Sequence, residues 1–141
     1  MSGDLMNVKG SVVPVTESKD LPSDVLIVED DPLIGLDVSD IMLDLGVSSV
    51  RTAVSVADAM QAIAAQAPAF ALLDVKLGRD YSFAVADKLV SLAIPFAFVT
   101  GYGDASMFPA RFAQRPTLAK PYSRDALRDL LAGWRDSAAL A

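Results

Sequence analysis

The sequence predicts an α/β domain built on a doubly wound, five-stranded parallel sheet. Two observations carry that expectation. Short runs of strand character recur along the chain, at Val25–Val28, Val47–Ala53, Ala69–Leu73, Phe96–Val99 and Thr117–Ala119. Several are continuously apolar, as strands buried on both faces must be. Between them lie segments with apolar residues at helical spacing, and parallel strands can only be joined through such crossover helices.

The elements follow in order. Residues 1–23 have no sustained period and carry Lys9-Gly-Ser, Pro14, Glu17-Ser-Lys-Asp20 and Pro22, so they read as a mobile leader. A short strand at Ser11–Val15 and a docking peptide are the alternatives there. Residues 24–138 form the folded domain. Val25–Val28 ends in Glu29-Asp30-Asp31-Pro32, where Asp31 suits a helix cap and Pro32 the first helical position. Ile34, Val38, Ile41 and Leu45 then mark one face of a helix that Gly46 stops. After the second strand, Ser55 caps a helix with Val56, Met60 and Ile63 on one face, and Pro68 follows it. The third strand runs into Asp74, and a loop with Gly78 and Asp80 leads to a helix through Val85 and Leu89. Pro95 opens the fourth strand. Ser123 caps a last helix, ending near Ser137, that aligns Leu127, Leu130, Leu131 and Trp134.

Composition removes whole classes of chemistry. The 141 residues contain no Cys and no His, which excludes thiol nucleophiles, Ser-His-Asp triads, Cys or His zinc sites and an internal His-to-Asp phosphate relay. The net charge of −6, from 18 acidic and 12 basic residues, argues against nucleic-acid binding. Charged residues interrupt every apolar stretch short of the ~18–20 residues a bilayer needs, so no membrane span is expected. No secretory pattern is visible at the N-terminus, and the expected compartment is the cytoplasm.

In a doubly wound fold, ligands sit beyond the carboxyl ends of the strands. Glu29 and Asp30 stand there after the first strand, Asp74 after the third, Thr100 after the fourth and Lys120-Pro121 after the fifth. Carboxylates converging at one edge repel unless something positive lies among them. A hard divalent cation and the Lys120 ammonium are the available remedies, and Mg²⁺ suits an oxygen-only set that includes phosphate and water. A carboxylate beside Mg²⁺, a hydroxyl and a Lys is equipped to attack a phosphoryl group and form an acyl phosphate.

These residues carry a resemblance. Val25-Leu-Ile-Val-Glu-Asp-Asp-Pro-Leu, Leu72-Leu-Asp74-Val-Lys-Leu-Gly, Thr100-Gly and Lys120-Pro-Tyr stand in the order, and on the strands, of response-regulator receiver domains of two-component signalling, whose fold is flavodoxin-like. The match spans about 24–137. The resemblance implies that Asp74 is the phosphoacceptor and that Glu29 and Asp30 place Mg²⁺, Asp30 directly and Glu29 through water. It further implies a third metal contact from the backbone carbonyl of Lys76, phosphoryl contacts from Thr100 and Lys120, and a cis Lys120–Pro121 peptide. Ile94-Pro-Phe-Ala-Phe-Val-Thr-Gly-Tyr-Gly resembles the branch nicknamed FAT GUY, with Val99 where the nickname has Ala. Members are often stand-alone bacterial receivers that work with histidine kinases. Ordinary receivers have an aromatic three residues before the strand-five Lys, and this chain has Thr117, which speaks against aromatic-flip signalling at that position.

The expected function is therefore a phosphoacceptor response regulator. It takes a phosphoryl group from a histidine kinase or a His-containing phosphotransfer protein, catalyses only its own phosphorylation and dephosphorylation, and signals by protein contact, as adaptor, phosphate sink or fragment of something longer. The last helix offers a face for a partner or a homodimer. A phosphatase of the haloacid-dehalogenase type needs a second Asp two residues after the first, where Lys76 stands, and a flavodoxin-like cofactor binder needs a phosphate loop where Glu29-Asp30-Asp31 would repel phosphate. The standing alternative is a pseudo-receiver that is not phosphorylated and serves as an interaction module. Readout is expected from ordering of the Gly- and Pro-rich segment 100–115, a loose loop with a short helix, presenting Tyr102 or Phe108.

Overall fold

The structure is a computed structural model that describes residues 20–138 apart from 102, 103 and 105–107. Strands β1 (Asp24–Val28), β2 (Ser49–Ala53), β3 (Phe70–Asp74), β4 (Phe96–Thr100) and β5 (Thr117–Ala119) form one parallel sheet in the order β2-β1-β3-β4-β5. Helices α1 (Pro32–Leu45), α2 (Val56–Ala65), α3 (Phe83–Ser91), α4 (Arg124–Ala132) and α5 (Trp134–Ala138) accompany the sheet, with a short antiparallel hairpin pairing Lys76–Leu77 to Asp80–Tyr81.

Strand alternation divides the core in two. On one face Leu26, Val28, Leu73, Phe96 and Phe98 pack against α2 and α3 through Ala59, Ile63, Val85 and Leu89. On the other, Val25, Ile27, Phe70 and Leu72 meet Val38 and Met42 of α1 and Leu127 and Leu131 of α4. Both faces of β1 and β3 are thus covered, which is why their sequences are apolar throughout. At ~1.5–3 kcal/mol per large apolar side chain, these two layers are the main stabilising term of the fold.

The structure refines several expectations. Asp31 caps α1, its carboxylate accepting from the N–H of Leu33 at 2.9 Å and of Ile34 at 3.5 Å. The face that α1 buries is Gly35, Val38, Ser39 and Met42, whereas Ile34 is 40% exposed and Ile41 and Leu45 are half-buried. Apolar residues occur all round this helix, so spacing alone fits more than one stripe. β2 starts at Ser49, because the Val47 N–H is still spent on the Met42 carbonyl at the helix end, 3.1 Å away. The loop after Asp74 is a tight hairpin with Gly78 in the left-handed region at φ +62, a conformation that Gly adopts without strain. The final helix is broken at Gly133 into α4 and α5, whose Trp134 still packs on the second layer.

Between β4 and β5 the described residues contain a 3₁₀ turn, Ala110–Phe112, started by Pro109. Phe112 is buried there among Phe83, Phe96 and Phe98, and the Arg115 guanidinium lies 4.6 Å above the Phe96 ring. The expected short helix is this turn. Tyr102 lies outside the described residues, as do residues 1–19 of the expected leader. Of residues 20–23, Leu21 packs on the second core layer, Pro22 is buried, and Asp20 is held by Trp134 and Arg135 through bonds of 3.0 and 2.6 Å. No helix among the described residues is long and apolar enough to cross a membrane.

Strand order fixes where a ligand can approach. β1 leads out to β2 on one side, whereas its other neighbour, β3, leads out to β4, so the crossovers from β1 and β3 run in opposite directions. A crevice opens where the order reverses, at the carboxyl ends of β1 and β3.

Candidate functional site

β1 delivers Glu29 and Asp30 to that crevice and β3 delivers Asp74, with one oxygen of each lying within 4.8 Å of the others. Glu29 and Asp74 are buried, 8% and 7% exposed, while Asp30 is exposed. Backbone donors hold the carboxylates in place. The Asp31 N–H donates to Glu29 Oε2 at 3.1 Å, and the Gly78 N–H donates to Asp30 Oδ2 at 3.0 Å across the crevice from the hairpin. The chain after Asp74 is fixed by the Val75 N–H on the Val99 carbonyl (3.1 Å) and the Ser82 N–H on the Val75 carbonyl (2.9 Å).

The only cation facing these carboxylates among the described salt bridges is Lys120. Its Nζ stands 3.0 Å from Asp74 Oδ2 and 3.7 Å from Glu29 Oε1. Its backbone N–H donates to the Thr100 carbonyl at 2.8 Å, which ties the end of β5 to the end of β4, and the peptide to Pro121 is cis.

One ammonium does not offset three carboxylates. Burial pushes the Glu29 carboxyl up to about 7; the Asp31 N–H opposes this, and Asp30 and Asp74 add to it. Burial likewise raises the Asp74 carboxyl, against the hydrogen bond and charge of Lys120. Burial works against the Lys120 ammonium, yet Asp74 and Glu29 outweigh it and raise its pKa. Among the described residues the cluster is short of positive charge. A hard divalent cation with a liking for carboxylate oxygen fits that deficit, and the donor set of Glu29, Asp30 and Asp74 suits Mg²⁺.

No family model matches the sequence. The solution structure of SdrG from Sphingomonas melonis Fr1 is 38% identical at a TM-score of 0.70, covering 80% of this chain and 96% of SdrG. The REC domain of the response regulator PhyR from Erythrobacter litoralis shares the fold at a TM-score of 0.69 and 24% identity, covering 83% of this chain and 89% of that domain. The chain belongs to the response-regulator receiver family. The phyllosphere-induced regulator PhyR of Methylorubrum extorquens is 29% identical over 106 residues, or 73% of this chain. The receiver matches only 40% of that curated relative's length.

Within the receiver, Glu29, Asp30, Asp74 and Lys120 lie together as the sequence leads one to expect. Thr100 ends β4 at the same edge, half-buried. Lys76 is exposed, and its ammonium lies over the Tyr81 ring, 5.9 Å from the centroid. Two participants escape sequence reasoning. Gly78 anchors Asp30 through its N–H, which only the hairpin geometry reveals. Tyr122 is half-buried, its hydroxyl pKa raised by burial and then by the charge of Glu29; its place two residues after Lys120 was the available signal.

Proposed function

We propose that this receiver accepts a phosphoryl group on Asp74 from a phosphohistidine of another protein, a histidine kinase or a His-containing phosphotransfer protein, and signals by protein contact. The observation that carries the proposal is the Lys120–Asp74–Glu29 arrangement: a buried carboxylate, raised pKa and all, beside one ammonium and two further acids at a strand-order reversal. In the transfer, an Asp74 oxygen forms a bond to phosphorus, the phosphorus–nitrogen bond to the imidazole breaks, and the imidazole leaves with that electron pair. Because the chain has no His, the donor must lie elsewhere.

Glu29, Asp30, Asp74 and the Lys76 carbonyl would hold Mg²⁺, which neutralises charge on the phosphoryl oxygens when bound. Lys120 holds the Asp74 carboxylate in one orientation and supplies positive charge as the phosphoryl group arrives. Thr100 stands at the edge of the crevice, where its hydroxyl can donate to a phosphoryl oxygen. The names of the relatives, a regulator and a response regulator, agree with a regulatory role rather than turnover of a free substrate.

The test is intact-mass spectrometry after incubation with acetyl phosphate and Mg²⁺. The wild-type chain should gain one phosphoryl mass, chelation of Mg²⁺ should prevent the gain, and Asp74→Ala should not show it. An Asp74→Ala protein that still gains the mass removes Asp74 from the role, and a wild-type chain that never gains it favours a pseudo-receiver acting only as an interaction module.

A further inference from the structure

One hydrogen bond at the edge of the site is not explained by the phosphoacceptor arrangement. The Gly101 N–H donates to Asp104 Oδ2 at 2.6 Å, and the Asp104 N–H returns a bond to the Gly101 carbonyl at 3.3 Å. A bond this short to a carboxylate is of the charge-assisted kind, roughly twice as strong as a neutral one. Asp104 is half-buried, so water does not fully screen it.

The direction of the Gly101 N–H follows from β4. The Phe98 N–H and the Thr100 carbonyl point to β5, where they bond the Pro116 carbonyl (3.1 Å) and the Lys120 N–H (2.8 Å). The Val99 carbonyl points the other way and accepts the Val75 N–H. Continuing that alternation, the Gly101 N–H faces the β3 side, where Asp74 pairs with Val99 in register. It is the next backbone donor past Thr100 on the phosphoacceptor side.

We propose that Asp104 is a resident anion of the phosphoryl site: its carboxylate occupies the Gly101 N–H in the unphosphorylated receiver, and a phosphoryl group on Asp74 must displace it. The proposal rests on the phosphoacceptor reading. One N–H cannot serve two anions well, and a phosphoryl group brought to the same edge repels the carboxylate. Asp104 is thus a positioning residue that keeps the donor oriented while empty of phosphate and lowers the affinity of the site for a phosphoryl group.

The experiment compares beryllofluoride binding, with Mg²⁺ present, in wild type, Asp104→Ala and Asp104→Asn. Asp40→Asn, exposed on α1, serves as a control for the change in net charge. Asp104→Ala should bind about 3- to 10-fold tighter, the range expected when the displacement of one hydrogen bond is removed; Asp104→Asn, whose amide oxygen still accepts but carries no charge, should fall between wild type and Asp104→Ala, and the control should change less than twofold. In NMR spectra the Gly101 amide should differ between wild type and Asp104→Ala when free and coincide when beryllofluoride is bound, a convergence that a purely structural role would not produce. Equal or weaker binding by both variants, or Gly101 signals that stay apart in the bound state, overturns the proposal alone. A wild-type chain that binds no beryllofluoride overturns the phosphoacceptor reading and this inference with it.

Discussion

Two aspartates stand at opposite ends of the same sheet with the same burial, Asp24 at the start of β1 and Asp74 at the end of β3, each 7% exposed. Asp24 is fully matched. Arg51 reaches it at 2.6 and 3.3 Å, Ser49 Oγ donates at 3.1 Å, and the remaining Arg51 donors close the end of α2 on the carbonyls of Ala62 and Gln66. Asp74 shares one ammonium with Glu29, and its pKa is raised by burial. A buried charge with every partner in place is architecture, and one short of partners among the described residues is a candidate ligand site. The difference lies in the neighbours.

The strongest way to break this comparison is to remove each carboxylate. Asp74→Ala should abolish phosphorylation by acetyl phosphate and leave the chain folded. Asp24→Ala should leave phosphorylation of the folded protein near wild type, but it strands Arg51 and should cost about 2–4 kcal/mol, or roughly 10 °C in Tm. Circular-dichroism melts beside mass spectra check both, and a melt of Asp24→Ala like that of wild type would undo the contrast.

A second test uses pH. Glu29 is held at about 7 against an ordinary 4.5, so between those values the folded state binds more protons than the unfolded one. Stability from this group is complete below about 4.5 and is lost as pH rises through 7. Tm without Mg²⁺ should therefore fall by several degrees from pH 5 to 8, millimolar Mg²⁺ should restore it at pH 8, and Glu29→Gln should flatten the slope. A flat wild-type profile would contradict the charge deficit.

Lys120→Met sharpens the same point by removing the one counter-charge among the described residues. It should steepen the pH slope, slow phosphorylation about tenfold or more, and lower Tm at pH 8 by a few degrees, whereas Arg51→Met should lower Tm equally at pH 6 and pH 8. The smallest effect concerns the start of the fold. Deleting residues 1–19 should shift Tm by less than about 2 °C, while a start at Asp24 also removes Leu21 and the Asp20 bonds to Trp134 and Arg135 and should lower it by several degrees.

The sequence by itself determined the strands, the caps and the residues at the strand ends, because these depend on neighbours along the chain. Val25–Val28 is apolar on both faces, Asp31 precedes Pro32, and Asp74 and Lys120 each close a strand, so their arrival at one edge follows once the sheet is parallel. Only the tertiary structure decided which stripe of α1 is buried, since Leu33, Ile34 and Leu36 are as apolar as the residues beneath them yet remain exposed. It also decided that Asp24 meets Arg51, that Gly78 reaches Asp30 and that Asp104 turns back on Gly101. Helical and strand periods record only which face of an element is apolar; the partner of a charge depends on the distance between elements far apart in the chain, and that distance is fixed by packing of the two core layers.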